Sequence, residues 1–487
     1  MNPTQTPTFV VIGQPNEGKT TVLATLTEND TAEIGPIPGN TQRCVRYPYK
    51  VDDRDILLFY DTPGFQRPGK MLEWFSKQDD NKPDLAKRFL AEFAHDKVFH
   101  AECEILKPIV NGAAVLYIAD ASRGVGKADR QALEILRKCG NPRIGIINSK
   151  DKAKAYFNEW KQFMRKDFNH CREFNGHRGS FRDRRELLEA VGAVVSEWSA
   201  PMREVLAALD SDWNARLAQI ADMIIDLLTK VLTAQEEVTV QKAGKEDHAK
   251  KKAKEKLEEK IREFERSCRL KILEVFKHSK DHWKPSKLEK MDLFSEEAWK
   301  LFGLSKQQLA FVFGIVGGGV GAGIGAGIGF QIDVLALGST GGLGTAIGAG
   351  VGGIVGIVGG LGALGAADHA VDFKVPWALR WAWGGKKLGG RTSIAKIKPA
   401  SNLPWVLISR SLIYAEEASH WAHGKRTATE LQLADDNKIS VWEKSELKTI
   451  SEFIHQICAD KKDQTKYQDA KKSVRLLLVS KLKQLTE

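Results

Sequence analysis

Patterned cysteine is the first thing missing from this chain. Cys44, Cys103, Cys139, Cys171, Cys268 and Cys458 form no C-x-x-C pair and sit beside no histidine cluster. Their spacing therefore suggests neither a zinc site nor a disulfide framework, and reduced thiols in a cytosol fit best. The opening residues, Met1 to Pro7, lack a basic stretch followed by an apolar one, so no secretory signal is read there. No KH-type G-x-x-G loop in an αβ setting and no aromatic strand surface for stacking RNA bases is found. His420 and His423 lie three apart without a third ligand, which leaves them a packing or surface role.

At 487 residues the chain is too long for one core, and two to four domains are expected. A net charge of +11 and a pI near 9.1 favour an anionic partner, be it nucleotide, RNA or lipid, without choosing among them.

Against these absences stands one concentrated motif. Gly13 to Thr20 read Gly-Gln-Pro-Asn-Glu-Gly-Lys-Thr, directly after the apolar run Phe9-Val10-Val11-Ile12 and before the helix-like Thr21 to Leu26. A strand, a G-x-x-x-x-G-K-[ST] loop and a helix form a phosphate cradle: backbone N–H groups turn inward at a helix N-terminus, Lys19 supplies a cation for the β/γ-phosphates, and the Thr20 hydroxyl is placed to ligate Mg²⁺. Gly13, Asn16, Glu17, Gly18, Lys19, Thr20 and Thr21 form the expected phosphate-side set.

Downstream residues choose the nucleotide. The run Ile56 to Tyr60 delivers Asp61-Thr62-Pro63-Gly64, where Asp61 can hold Mg²⁺ through water and the Gly64 N–H can meet a γ-phosphate. Between the two lies the turn-rich Pro38-Gly39-Asn40-Thr41, whose Thr41 offers the metal a second hydroxyl. Lys19, Thr41 and Gly64 are the expected catalytic set. A strand over Ala113 to Asp120 and another over Arg143 to Ile147 lead to Asn148-Ser149-Lys150-Asp151. A carboxylate at Asp151 can accept from guanine N1–H and its exocyclic amine, which adenine cannot match, while Asn148 would tie this loop to the phosphate loop. A last strand is expected over Ala193 to Trp198, with Ser199 and Ala200 supporting the base through backbone N–H groups.

With these motifs in order, residues 8 to 201 resemble the translation-factor class of GTPases, most closely the Era, TrmE and Der group. Gly13 to Thr20, Gly39-Asn40-Thr41 and Asp61-Thr62-Pro63-Gly64 are similar to that group's G-x-P-N-x-G-K-[ST], G-T-T and D-T-P-G. The resemblance implies an α/β P-loop domain with a mostly parallel sheet, binding GTP or GDP with Mg²⁺. Two departures stand out. Ser149 occupies the lysine position of the group's N-K-x-D, with Lys150 one place late, and a helix-like insert, Leu85 to Phe93, lies beside the expected second switch as packing or a lid. Phe65 follows Gly64, where Ras-type enzymes carry a water-orienting glutamine. Slow turnover is thus expected, and the resemblance implies Asn16 as a ligand for a stimulating K⁺.

The second half has its own signature. Of the chain's 43 glycines, 22 lie between Gly314 and Gly365 among Ile, Val, Ala and Leu, a composition unlike a Gly/Ser linker. Gly317, Gly321, Gly325 and Gly329, then Gly344, Gly348, Gly352, Gly356 and Gly360, recur every four residues and share one helical face. In water each such glycine costs about 0.8–1.0 kcal/mol relative to alanine; a bilayer enforces helix regardless. Lys and Arg flank the segment on both sides, and Trp377, Trp381 and Trp383 follow it, which suits two cytoplasmic ends and an aromatic belt. A buried, soluble glycine-faced hairpin is the alternative.

Met202 to Val231 and Leu257 to Val275 carry helical spacing, as do Trp405 to Trp421, Ser445 to Cys458 and Tyr467 to Leu485. The organisation read is a GTPase domain over 1–201, long amphipathic helices over 202–308, a glycine-rich membrane-seeking hairpin over 309–367 and a helical domain over 368–487. The expected partners are a guanine nucleotide and membrane lipid at the inner face of the cytoplasmic membrane, with a protein or second copy meeting the helices. A soluble, RNA- or ribosome-associated GTPase and a weakly hydrolysing scaffold are the rivals.

Overall fold

The computed structural model describes residues 6–28, 43–51, 54–78, 84–149, 154–176, 179–195, 198–240, 246–278, 290–305, 308–309, 312, 382–388, 392–398, 402–421, 442–459 and 463–487. The N-terminal half is an α/β domain. In chain order it runs β1 (Thr8–Ile12), α1 (Lys19–Thr27), β2 (Val45–Val51), β3 (Arg54–Asp61), α2 (Pro68–Ser76), α3 (Leu85–Phe93), α4 (His100–Val110), β4 (Ala114–Asp120), α5 (Lys127–Cys139), β5 (Arg143–Asn148), α6 (Phe157–Asp167), β6 (His170–Phe174) and α7 (Phe181–Val194). The strands order β2-β3-β1-β4-β5-β6, parallel throughout except for the β2/β3 pair.

Alternation builds the two faces of this sheet. Phe9 and Val11 of β1, with Leu116 and Ile118 of β4, enter one apolar cluster, while Val10, Ile12, Val115 and Tyr117 enter another. Helices cover both faces, as a parallel sheet requires. In register, Val11 pairs with Asp61, Ile12 with Tyr117 and Asp120 with Asn148, so the chemistry-bearing residues leave the sheet along one edge. That edge, where neighbouring connections diverge around β1, is the usual place for a ligand in such sheets.

A helical region follows: α8 (Ser199–Thr233), β7 (Glu236–Val240), α9 (Glu246–Val275), α10 (Glu296–Phe302), β8 (Ala382–Leu388), β9 (Thr392–Lys398), α11 (Leu403–His420), α12 (Lys444–Cys458) and α13 (Gln464–Thr486). The α8 stripe from Met202 through Val231 is buried as its spacing predicts. All of α11 is buried except Glu416 and His420, which makes it the central rod of the region. Inside, Arg410 Nε donates to Glu265 Oε1 at 2.6 Å, and its guanidinium lies 5.7 Å from the Phe302 ring.

Two expectations are corrected. The strand expected over 193–198 is not found among the described residues: α7 runs to Val194, the Trp198 N–H closes a turn on the Val195 carbonyl at 2.9 Å, and α8 starts at Ser199. Val195 and Trp198 are apolar because they face the core, Trp198 edge-on to Phe9 at 5.1 Å. The sixth strand is instead His170–Phe174, an edge strand whose polar residues gave no apolar run. The region read as wholly helical also holds a small antiparallel sheet ordered β7-β9-β8. Its strands flank the glycine-rich segment in sequence, with Gly384 and Gly385 weakening the strand signal; Trp383, expected in an aromatic belt, is part of β8. The glycine zipper itself, with Trp377 and Trp381, lies outside the described residues. Among the described residues no helix is long and apolar enough to cross a membrane.

The apolar cluster containing Phe9 and Val11 continues without a break into α8, α9, α11 and α13. At the junction Phe181 stacks on Trp213 at 4.5 Å, and Trp213 meets Phe276 at 5.4 Å. Beside them Glu28, the residue that ends α1, is 7% exposed and is gripped by three helices. Arg216 of α8 donates to it twice, at 2.9 and 2.6 Å; Arg184 of α7 donates to Oε1; Lys277, just past α9, reaches Oε2 at 3.3 Å.

Burial pushes the Glu28 carboxyl up, but Arg184, Arg216 and Lys277 outweigh it and hold the group well below its ordinary 4.5. Breaking a buried pair from one side costs ~3–5 kcal/mol, so Glu28→Gln is expected to lose about that much in denaturant unfolding at neutral pH. A carboxyl depressed on folding contributes stability above its unfolded value and loses it as pH falls through the folded one. The gap between wild type and variant should therefore stay full down to pH 4.5 and close only below it. A gap already closed at about pH 6 contradicts the charged clamp.

Candidate nucleotide site

The loop between β1 and α1 is shaped by its backbone. Asn16 has φ 67° and Gly18 φ 87°, so left-handed residues bracket Glu17 and turn successive N–H groups toward one concavity. Gly13 has no room for a side chain: a Cβ there would lie 2.3 Å from the Ile118 carbonyl oxygen. Lys19, buried, arches back over the loop, with Nζ donating to the carbonyls of Gly13 at 3.2 Å and Gln14 at 3.0 Å. Asn16 is exposed.

The end of β3 comes against this loop. Thr20 Oγ1 donates to Asp61 Oδ2 at 2.7 Å, and Thr62 Oγ1 donates to the Val11 carbonyl at 2.7 Å, which fixes the segment to β1. Gly64 has φ 76°, and a Cβ on it would lie 2.6 Å from the Gly13 carbonyl oxygen and 3.4 Å from Lys19 Nζ. A hydroxyl and a carboxylate side by side beneath a phosphate cradle are hard oxygen donors, the type Mg²⁺ takes, so Thr20 and Asp61 fit that ion. Among the described residues no three His, Cys, Asp or Glu gather as a metal cluster. Thr41 and Asp151 lie outside the described residues.

On the other flank Asn148 joins two loops. Its Nδ2 donates to the Glu17 carbonyl at 3.0 Å, and its Oδ1 accepts the Gly176 N–H at 3.2 Å. Thr25 Oγ1 donates to the Gly176 carbonyl at 2.7 Å, and Thr21 Cγ2 lies 3.5 Å from where a Gly176 Cβ would be. The loop after β6, Asn175-Gly176, therefore occupies the place expected of Ser199 and Ala200. Those two are exposed in the first turn of α8, next to Trp198 and so toward the opposite, N-terminal end of β1. An Asn-Gly turn closing a short strand was the available signal. Ser149, in the expected lysine position, donates to Glu173 Oε1 at 2.8 Å, and Lys154 pairs with the same oxygen at 2.5 Å.

Beyond Gly64 the chain is locked. Phe65 is 3% exposed in the core, Gln66 is exposed, and the buried Glu102 carboxylate accepts the N–H groups of Gln66 and Arg67 at 2.9 and 2.5 Å. The insert α3 is packing: Phe89 is fully buried and meets Trp74, Phe93 and Phe99 at 5.2, 4.7 and 5.2 Å. Sequence reasoning also missed Arg123 beneath the phosphate loop. It donates to Glu17, whose carboxyl burial raises against the opposing pull of that arginine.

A strand-edge phosphate loop joined to Asp61, Gly64 and Asn148 defines the first half as a P-loop GTPase domain of the Era and Der type. Residues 8–149 match a family described as a 50S ribosome-binding GTPase. The chain as a whole belongs to the family of a domain of unknown function, DUF3482, which matches residues 161–483. GTPase Der of Staphylococcus saprophyticus is 24% identical over 161 residues, 32% of either chain. Among solved structures, Era of Aquifex aeolicus bound to GDP and AlF4⁻ is 20% identical, covering 48% of this chain and 70% of that one with a TM-score of 0.27. Era in complex with MgGDPNP and a piece of 16S ribosomal RNA covers the same shares at 20% identity and a TM-score of 0.28. The chain spans about a third of the length of the curated relatives it matches.

Gly64→Ala tests the contact between the two loops. Strain at φ 76° and the clash with Gly13 should weaken binding of a non-hydrolysable GTP analogue by about tenfold or more, and GDP less. Titration with fluorescent analogues reads both, and equal losses would place Gly64 away from a third phosphate.

Proposed function

We propose that the chain is a GTP-binding and GTP-hydrolysing switch whose nucleotide state is read by its own helical region and expressed at a membrane. One observation carries the first part: α1 begins with Lys19 and Thr20 in the phosphate cradle and ends in Glu28, held by α7, α8 and the end of α9. Water attacks the γ-phosphate while Lys19 and the loop N–H groups stabilise the developing charge. Thr20, with Asp61 and Thr41, would hold Mg²⁺, which supplies charge neutralisation when bound. Asp151 would read guanine. Phe65, buried, cannot orient water, so turnover is slow, and Asn16, exposed on the phosphate loop, is assigned to K⁺.

The membrane part rests on the glycine spacing between 309 and 367 and on a closure at the segment's base. Leu304 N–H donates to Asn402 Oδ1 at 3.1 Å, and both residues are 5% exposed. Residues on the two sides of the segment thus meet, which suits a hairpin dipping into the inner face of the cytoplasmic membrane. A second reading, association with ribosomal RNA, is favoured by the matched family's description and by the net charge of +11. Weak hydrolysis with a scaffold role is the third, and the helices offer surfaces for a protein partner or second copy.

Turnover by purified protein should rise in K⁺ over Na⁺ at equal ionic strength; equal rates remove Asn16 from that role. Cell fractions prepared with GDP and with a non-hydrolysable GTP analogue should differ in membrane-bound protein, resistant to carbonate. Salt-sensitive co-sedimentation with RNA instead would favour the ribosomal reading.

A further inference from the structure

Glu17 is an acid inside an anion cradle. Its side chain is 3% exposed, one oxygen accepts the Asp120 N–H, and the other accepts from Arg123 Nε. Arg123 also grips Asp129, Nη1 to Oδ2 at 2.7 Å and Nη2 to Oδ1 at 3.0 Å. Asp129 is itself fixed by the Tyr117 hydroxyl at 2.9 Å and by the Gly126 N–H at 2.9 Å. The guanidinium lies over the Trp160 ring at 5.4 Å, and Trp160 Nε1 donates to the Arg123 carbonyl at 2.8 Å. Two nearly inaccessible carboxylates therefore share one guanidinium, and the first of them belongs to the loop that must receive phosphates.

A carboxylate that accepts an N–H and a guanidinium is satisfied as a hydrogen-bonding group, but its charge still opposes an arriving phosphate in a medium where water cannot screen it. A fixed cation paired with it offsets that opposition. We infer that Arg123 is a positioning residue of the phosphate loop, neutralising and anchoring Glu17 so that a loop with a built-in acid can hold a nucleoside di- or triphosphate. Asn148 grips the Glu17 carbonyl from one side and Arg123 its carboxylate from the other, so the residue is held at both ends. This rests on the nucleotide binding proposed above, and it adds a residue from the loop after β4 to the site.

The test is affinity for fluorescent GDP in the full chain, compared among wild type, Arg123→Met, Arg123→Lys, Glu17→Gln and the Glu17→Gln/Arg123→Met pair. An unscreened neighbouring charge is worth one to three powers of ten, so Arg123→Met should bind about tenfold or more weakly. Removing the acid as well should restore most of the loss, and Arg123→Lys should retain most of the wild-type affinity. A purely structural role for Arg123 predicts the reverse for the pair, which would then be as weak as Arg123→Met or weaker. Unimpaired binding by Arg123→Met, or no rescue by Glu17→Gln, overturns the inference alone. Wild type that takes up no guanine nucleotide overturns the proposed function, and this inference with it. Should Arg123→Met fail to fold, Glu17→Gln decides: with the cation kept and the acid gone, affinity must rise above wild type, and no rise overturns the inference.

Discussion

The grip of three helices on Glu28 is the constraint from which the rest of the molecule takes its geometry. Taking several charges out of water costs several kcal/mol per ion, so such a cluster adds little net stability over an apolar contact of the same shape. What it adds is directional: a carboxylate with Arg184, Arg216 and Lys277 around it admits one arrangement, where Leu and Val would admit several. Glu28 itself has φ 50° and Lys277 φ 60°, so two helices end in left-handed residues where they meet. Such backbone conformations persist only where surrounding contacts over-determine them.

That constraint has a mechanical corollary. Helix α1 is nine residues long, about 13 Å, and too short to bend. Its first residues belong to the phosphate cradle and its last is clamped by the helical region. Behind it the shared apolar cluster runs from Phe9 through Trp213 to Leu482, so the sheet face and the helices are one packed body. A displacement at Lys19 or Thr20 therefore has to appear at the clamp or be resisted by it. By linkage, a partner of the helices that altered nucleotide affinity through the clamp would have its own affinity altered by nucleotide to the same extent.

What could be read from residue order followed from local physics. The apolar runs of β1 and β4, the phosphate loop and the four-residue stripes of α8 and α9 each declare themselves within a dozen residues, and the structure has them there. Edge position hid β6, since a strand paired on one side need not be apolar, and the apolar Val195 and Trp198 suggested a strand where they serve a helix junction. The join between Asn148 and Gly176 depends on β5 lying beside β6, which no short pattern reveals. Longer separations hid more: Arg184 and Arg216 reach Glu28 from 156 and 188 residues away, and β7 pairs with β9 across the glycine-rich segment. Glu17 could have been questioned from sequence, because an acid at the heart of an anion site demands a partner.

A buried contact joins residues on the two sides of the glycine-rich segment. Leu304 and Asn402 are hydrogen-bonded, and a Cβ on the adjacent Gly303 would lie 2.7 Å from Asn402 Nδ2, so only glycine permits the approach. Around this closure α10 and α11 pack together, and α11 is already covered by α8, α9 and α13. The central rod is thus enclosed by described elements, and Val312, beyond Leu304, is still buried in the same apolar cluster. A loop closed at its base by buried contacts can lengthen or change its surroundings at small cost to the body it leaves, because closure entropy grows only slowly with loop length. Glycine at every fourth residue makes such a run a poor helix in water, so under the function proposed above it is the bilayer that would supply order.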